Sequence, residues 1–175
     1  TEEITTRLLF LFEKVLDMDF SSDRRKIVLS AVYKGQTDIY VFDIASATSE
    51  RVTNDLADDF QPRFLNNMNE ISFASNRRYD TLYAAKDDPH NNTTTAFSIF
   101  VYDYKSKNNV LQRISEGAYI NHLKPYYAND DRYIYMSDKN GIYNMYFAQY
   151  DSTIAYIDTS IHYRYYANSY PISNF

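Results

Sequence analysis

Residues 20–30 read FSSDRRKIVLS: an aromatic, a polar turn, then a short apolar run. Taken alone, the stretch is one hairpin. Two similar phrases follow, FLNNMNEISFAS at 64–75 and YANDDRYIYMS at 127–137. Aligned on Phe20, Phe64 and Tyr127, each places an isoleucine seven positions later, at Ile27, Ile71 and Ile134. A further strand-like run comes next in each unit: DIYVFDI at 38–44, SIFVYDY at 98–104 and GIYNMYFAQYD at 141–151. A shorter run closes it: ERVTND at 50–55, LQRIS at 111–115 and, more loosely, IAYIDTS at 154–160. Pro62 and Pro125 stand two positions before the aromatic in the second and third units.

Four short strands recurring on this scale are the pattern of a β-propeller blade. The reading is therefore all-β, with blades of four antiparallel strands, at 17–55, 60–115 and 123–160. A partial fourth unit is expected at 161–175, with Tyr166 at the aromatic position. Spacings of 44, 63 and 39 residues between leading aromatics imply an insertion of about 16 residues in the second unit. It falls within the polar stretch 76–95, which reads as a loop. A β-sandwich built from chance-similar hairpins is the alternative; several anchors in register across three units favour the propeller.

Composition agrees. The chain has 175 residues, 45% hydrophobic and 17% aromatic, with 19 tyrosines and 11 phenylalanines. Such residues suit strands and can fill the space between packed sheets. Three glycines and four prolines leave the turns to Asn, Asp, Ser and Lys. A net charge of -5 without a basic run argues against nucleic acid as a partner. The absence of cysteine excludes disulfides and thiolate chemistry. The longest apolar run, LLFLF at 8–12, is too short to cross a bilayer, and no signal-peptide pattern opens the sequence at Thr1.

The repeat resembles the TolB-like, WD-like (PD40-type) propeller family. The first unit offers DFSSDRRKIVLS, DIYVFDI and ERVTND; the second offers QPRF, NEISFASNR, IFVYDY and QRIS; the third offers KPYYANDDRYIYMS and GIYNMY. The family's Pro-Asp-Gly turn is replaced here by Ser-Asp-Arg, Asn-Met-Asn and Asp-Asp-Arg, and Asn and Asp are expected to tolerate the backbone angles that glycine would supply. The resemblance implies a six-bladed ring, with the remaining blades supplied by a longer chain or, as the lesser option, by a second copy. It implies a periplasmic or outer-membrane-associated protein of Gram-negative bacteria that binds a protein or peptide of the cell envelope. Similar propellers gate serine peptidases of the prolyl oligopeptidase and dipeptidyl peptidase IV type, and others act on carbohydrate, so a gating domain or a carbohydrate-active propeller are the alternatives.

In a blade, the loops after strands two and four lie on one face. Here these are the 76–95 insertion and the loops 54–61 and 116–124. They carry Asp58, Asp59, Arg77, Arg78, Asp87, Asp88, His90, Asn121 and His122. Binding residues favour loops on a rigid scaffold, so Asp58, Asp59, Arg77, Arg78, His90, Asn121 and His122 form the candidate partner surface. Asp58 and Asp59 read as solvated turn residues, not a catalytic pair. DDPH at 87–90 has metal-ligand residue types but lacks a converging set, so neither metal nor cofactor is expected. His162 is placed on an inner strand as a packing histidine. YRYY at 163–166 is assigned to packing between sheets, with a carbohydrate platform as the alternative. No nucleophile-elbow, phosphate-loop or dinucleotide motif appears, so no catalytic residue is assigned.

Overall fold

A computed structural model describes residues 12–65, 68–82, 93–117, 119–129 and 131–175. Each hairpin phrase becomes the first turn of a four-stranded antiparallel sheet. Blade one holds β1 (Lys14–Phe20), β2 (Lys26–Tyr33), β3 (Gln36–Asp43) and β4 (Thr48–Arg51), hydrogen-bonded in that order. Blade two holds β5 (Asp59–Leu65), β6 (Glu70–Ser75), β7 (Ser98–Asp103) and β8 (Gln112–Arg113). Blade three holds β9 (His122–Asn129), β10 (Arg132–Ser137), β11 (Asn144–Ile157) and β12 (Ile161–Pro171).

The turns between strands one and two share a left-handed position in all three blades. Four positions after the leading aromatic, Arg24, Met68 and Asp131 have φ of 57°, 69° and 56°. The sequence reading gave these turns to Asn and Asp, but only Asp131 fits that account. Elsewhere a longer side chain accepts the left-handed backbone, at a cost of roughly 1–2 kcal/mol. In blade one, local hydrogen bonds hold the turn in place. Ser21 donates its N–H to Lys26 O (2.9 Å) and its hydroxyl to Asp23 (2.7 Å). The turns between strands three and four also repeat, with Asp43 and Asp103 accepting from the N–H of Ser46 (2.9 Å) and Ser106 (2.8 Å).

Each first strand carries a register shift shortly before its leading aromatic: between Val15 and Asp17, between Phe60 and Arg63, and opposite Ile134 and Met136. In blades two and three the shift coincides with a positive φ at Gln61 (55°) and Lys124 (53°), each followed by the repeat proline. Proline cannot donate to a ladder and belongs at such bulges. The bulged strands touch across blades. Arg63 pairs with Asp17 (3.2 Å), Phe64 N–H donates to Asp19 (3.1 Å), and Lys124 N–H donates to Gln61 (2.6 Å). The innermost strands β1, β5 and β9 therefore stand side by side.

The core lies between blades. Val28, Ile39 and Val41 of blade one pack with Ile71, Phe73 and Phe100 of blade two. Ile99 and Val101 of blade two pack with Tyr133, Tyr135, Tyr146 and Ala148 of blade three. Successive strand residues point to opposite faces, so blade two buries one set of side chains on each side. Burying a large apolar side chain contributes about 1.5–3 kcal/mol.

The structure corrects the expected fourth unit. Residues 161–171 are the outermost strand of blade three, where Tyr166 pairs with Asp151. IAYIDTS does not close the blade; it lengthens β11 and turns the chain, with Asp158 accepting from Ser160 N–H (2.9 Å). His162 accordingly lies on the outermost strand, beside Asp158 at 3.1 Å. Tyr163 and Tyr165 are 52% and 60% exposed, so packing between sheets does not account for them.

Relieving the left-handed strain should stabilise the fold. Arg24→Gly is expected to raise the unfolding free energy by about 0.5–1 kcal/mol, net of the extra entropy glycine loses, measured by urea denaturation. A decrease would mean that the Arg24 side chain contributes more than its backbone costs.

Candidate functional site

Two polar clasps recur where strand one begins and strand two ends. Asp58 N–H donates to the Asn76 side chain at 2.8 Å. In blade three, Asn121 donates its backbone N–H (2.7 Å) and side-chain amide (2.9 Å) to Asp138. The Asn121 side-chain oxygen also accepts from Phe97 N–H at 3.2 Å, which ties the 76–97 loop to blade three. Asn76 and Asp138 complete these clasps; the sequence reading missed them because nothing in their spacing marks them as partners.

Arg77 is the most constrained polar residue. Its guanidinium donates to both oxygens of Asp59 (2.9 Å each), to Asp55 (3.1 Å), to Thr81 O (3.0 Å) and to the Ser75 hydroxyl (2.9 Å). These bonds use every donor that an arginine side chain owns. The group also lies 5.3 Å from the Phe73 ring centre and 5.8 Å from that of Phe100. Arg77 is 5% exposed and Asp59 is fully buried. The expectation that these two stand on a solvated loop is corrected: Asp59 opens β5, and its charge is matched inside the protein. Ser30 of blade one donates its hydroxyl to Asp59 O at 2.7 Å, so the cluster spans two blades.

His122 is buried as well. It opens β9 at the position that Asp59 holds in blade two. One ring nitrogen lies 3.1 Å from Glu116 O, the other has no hydrogen-bond partner among the described residues, and the ring meets Tyr135 edge-on at 5.2 Å. Asp58 and Asn121 are half-buried and Arg78 is exposed. His90 lies outside the described residues, as do Asp87 and Asp88. Among the described residues, no three His, Cys, Asp or Glu converge to hold a metal ion.

Where residues 77–78 and 93–98 face the end of blade two lies a cleft of about 610 Å³. Arg78, Thr93, Arg113, Gly117 and Tyr119 line it. Arg113 is held by Asp80 (2.6 Å) and the Ser98 hydroxyl (3.2 Å), while Arg78 leans on Tyr79. Gly117 has φ of 127°, so the backbone favours glycine in the cleft wall; a Cβ there would also meet Ile120 Cδ1 at 2.5 Å, a side-chain end that can shift. Tyr119 is 89% exposed. A second cavity of about 440 Å³ lies along the innermost strands, lined by Leu16, Gln61, Leu123 and Asn121.

Comparison with solved structures gives a match at this point. The chain superposes on TolB from Acinetobacter baumannii with a TM-score of 0.54 and 18% identity, over 74% of this chain and 28% of that one. It has the TolB-type propeller fold. The chain thus spans a little over a quarter of that structure. No protein-family model and no curated protein matches the chain by sequence.

Buried charge makes the fold sensitive to pH. Burial pushes the Asp38 and Asp55 carboxyls up to about 6, against the attraction of Arg51 and Arg77. Burial pushes the His122 imidazole down to about 4. The two aspartates contribute stability that is full below about pH 4 and lost as pH rises through 6. His122 contributes stability that is full above about pH 6.5 and lost as pH falls through 4. Each contribution is on the order of 3 kcal/mol. His122→Gln should therefore steepen the gain in stability on acidification from pH 7 to 5, and Asp38→Asn should flatten it, in denaturation curves taken across that range. Parallel curves for the three proteins would contradict the assignment.

Proposed function

We propose that the chain is part of a non-enzymatic interaction propeller of the Gram-negative cell envelope, which binds a protein or peptide partner through the loops of one face. The observation that supports this most is the 610 Å³ cleft on that face, where Arg78 and Tyr119 are exposed near the half-buried clasps. A rigid scaffold beneath exposed arginine and aromatic side chains is the usual composition of a binding hot spot. The TolB likeness supports the fold on which such a surface would be built.

Among the candidate residues, Arg77, Asp59 and His122 act in this reading as the internal frame. Arg78, Asp58 and Asn121 remain on the accessible side. A periplasmic or outer-membrane-associated location and a lack of catalysis belong to the same proposal. So do the remaining blades, supplied by the rest of a longer chain.

The test is a pull-down from envelope extracts with the wild-type chain and an Arg78→Ala/Tyr119→Ala variant. Both residues are exposed, so the variant should fold normally. Loss of about tenfold in captured partner is expected for two hot-spot side chains. Equal capture would overturn the assignment of the cleft.

A further inference from the structure

Blade three ends in an unusual edge. The outermost strands of blades one and two are β4, with four residues, and β8, with two. Short outer strands are how propellers protect their rims. By contrast, β12 has eleven residues and pairs with β11, which has fourteen; beyond the other blades' length they form a two-stranded ribbon. Such a ribbon is marginal in water by itself.

The two faces of the ribbon differ. The pairs Ile157–Ile161, Ile154–Tyr163 and Ser152–Tyr165 share one face; Tyr156–His162, Thr153–Arg164 and Asp151–Tyr166 share the other. The first face is apolar and exposed: Ile154 52%, Ile157 66%, Ile161 50%, Tyr163 52% and Tyr165 60%. Towards the base of the ribbon it continues into the packed interface of blades two and three, through Tyr150, Ala148 and Tyr146. At that base a cleft of about 280 Å³ separates Tyr150 and Tyr165 from Val110 and Leu111 of blade two.

The cleft has an acidic floor. Glu70 and Asp103 line it. Burial, and then the like charges of Asp131 and Asp103, push the Glu70 carboxyl up, and no cation among the described residues offsets them. A stripe that prefers apolar side chains thus ends in a cleft that prefers a cation. A second copy would bring the same apolar, uncharged stripe and leave the acidic floor unmatched. An anionic lipid surface would be repelled by it. A glycan would find isoleucines among the tyrosines instead of polar partners. The free outer edge of β12 offers backbone groups to an extended chain.

We infer that this face of the ribbon and the cleft at its base bind an extended peptide segment of a partner, with apolar side chains at alternate positions and a basic one at the next position on the same side. The apolar side chains cover the stripe from Ile161 to Tyr165, about 13 Å at ~3.3 Å per residue. A lysine or arginine enters the cleft towards Glu70. The surface is separate from the loop-face cleft and does not depend on it.

The test is fluorescence anisotropy on the full chain with a labelled valine–lysine peptide, Val-Ser-Val-Ser-Val-Ser-Lys-Ser, whose valines and lysine share one side and which is long enough to cover the stripe and the cleft. It should bind, weaken with added salt, and lose about tenfold in affinity with Tyr163→Ser/Tyr165→Ser and with Glu70→Gln. Tyr166→Ser, on the opposite face, and Arg78→Ala, in the loop cleft, should bind as the wild type does. Thermal melting identifies any variant that fails to fold, and Glu70→Gln keeps the test independent of the tyrosines. The inference is overturned if the valine–lysine peptide does not bind, or if a valine–glutamate peptide binds equally well. It is also overturned if the tyrosine variant instead abolishes a dimer seen by light scattering, or binding to phosphatidylcholine vesicles.

Discussion

The arrangement of blades one and two depends on one buried cation. Arg77 joins Asp55 from the linker between blades, Asp59 from the start of β5 and Ser75 from the end of β6, and it rests on the rings of Phe73 and Phe100. An arginine with this little exposure is tolerable only when every donor is matched. The requirement fixes the path of the linker. It also fixes the first residues after β6, from which the 76–97 loop departs. The exposed Arg78 is adjacent in sequence, so its position on the cleft wall follows from that of Arg77.

The same constraint explains what the sequence could show. The fold was legible because hairpin turns, strand pattern and leading aromatics repeat, and each has a local cause. Phe20, Phe64 and Tyr127 each precede a turn that is left-handed at the fourth position after them. The site was legible only as a face. Arg77 and Arg78 are neighbours with identical chemistry, yet one is buried and the other exposed. That difference depends on Asp55 and Asp59, which lie 22 and 18 residues away. His122 shares the position of Asp59 in its blade, but without a partner cation it is buried by packing against Tyr135. The error at 161–175 has a similar origin. YRYY repeats the composition of a leading aromatic, while its pairing with β11 is set by the turn at 158–160.

Two surfaces of different character result. The loop face is a polar cleft on a scaffold held by buried ion pairs and Asn–Asp clasps. The ribbon is an apolar stripe on an edge that the other two blades keep short. Among the described residues, no three His, Cys, Asp or Glu converge on either surface to hold a metal ion. What these surfaces offer is shape, aromatic area and isolated charge.

The central claim is that the Arg77 cluster is the joint between blades one and two. Its most direct test is equilibrium unfolding of Arg77→Met beside Arg77→Met/Asp55→Asn/Asp59→Asn. The account predicts that the single variant loses about 3–5 kcal/mol, because two carboxylates are left buried without a partner, and that the triple variant recovers a large part of that loss. A single variant that unfolds within about 0.5 kcal/mol of the wild type, the range of an ordinary surface change, would contradict it.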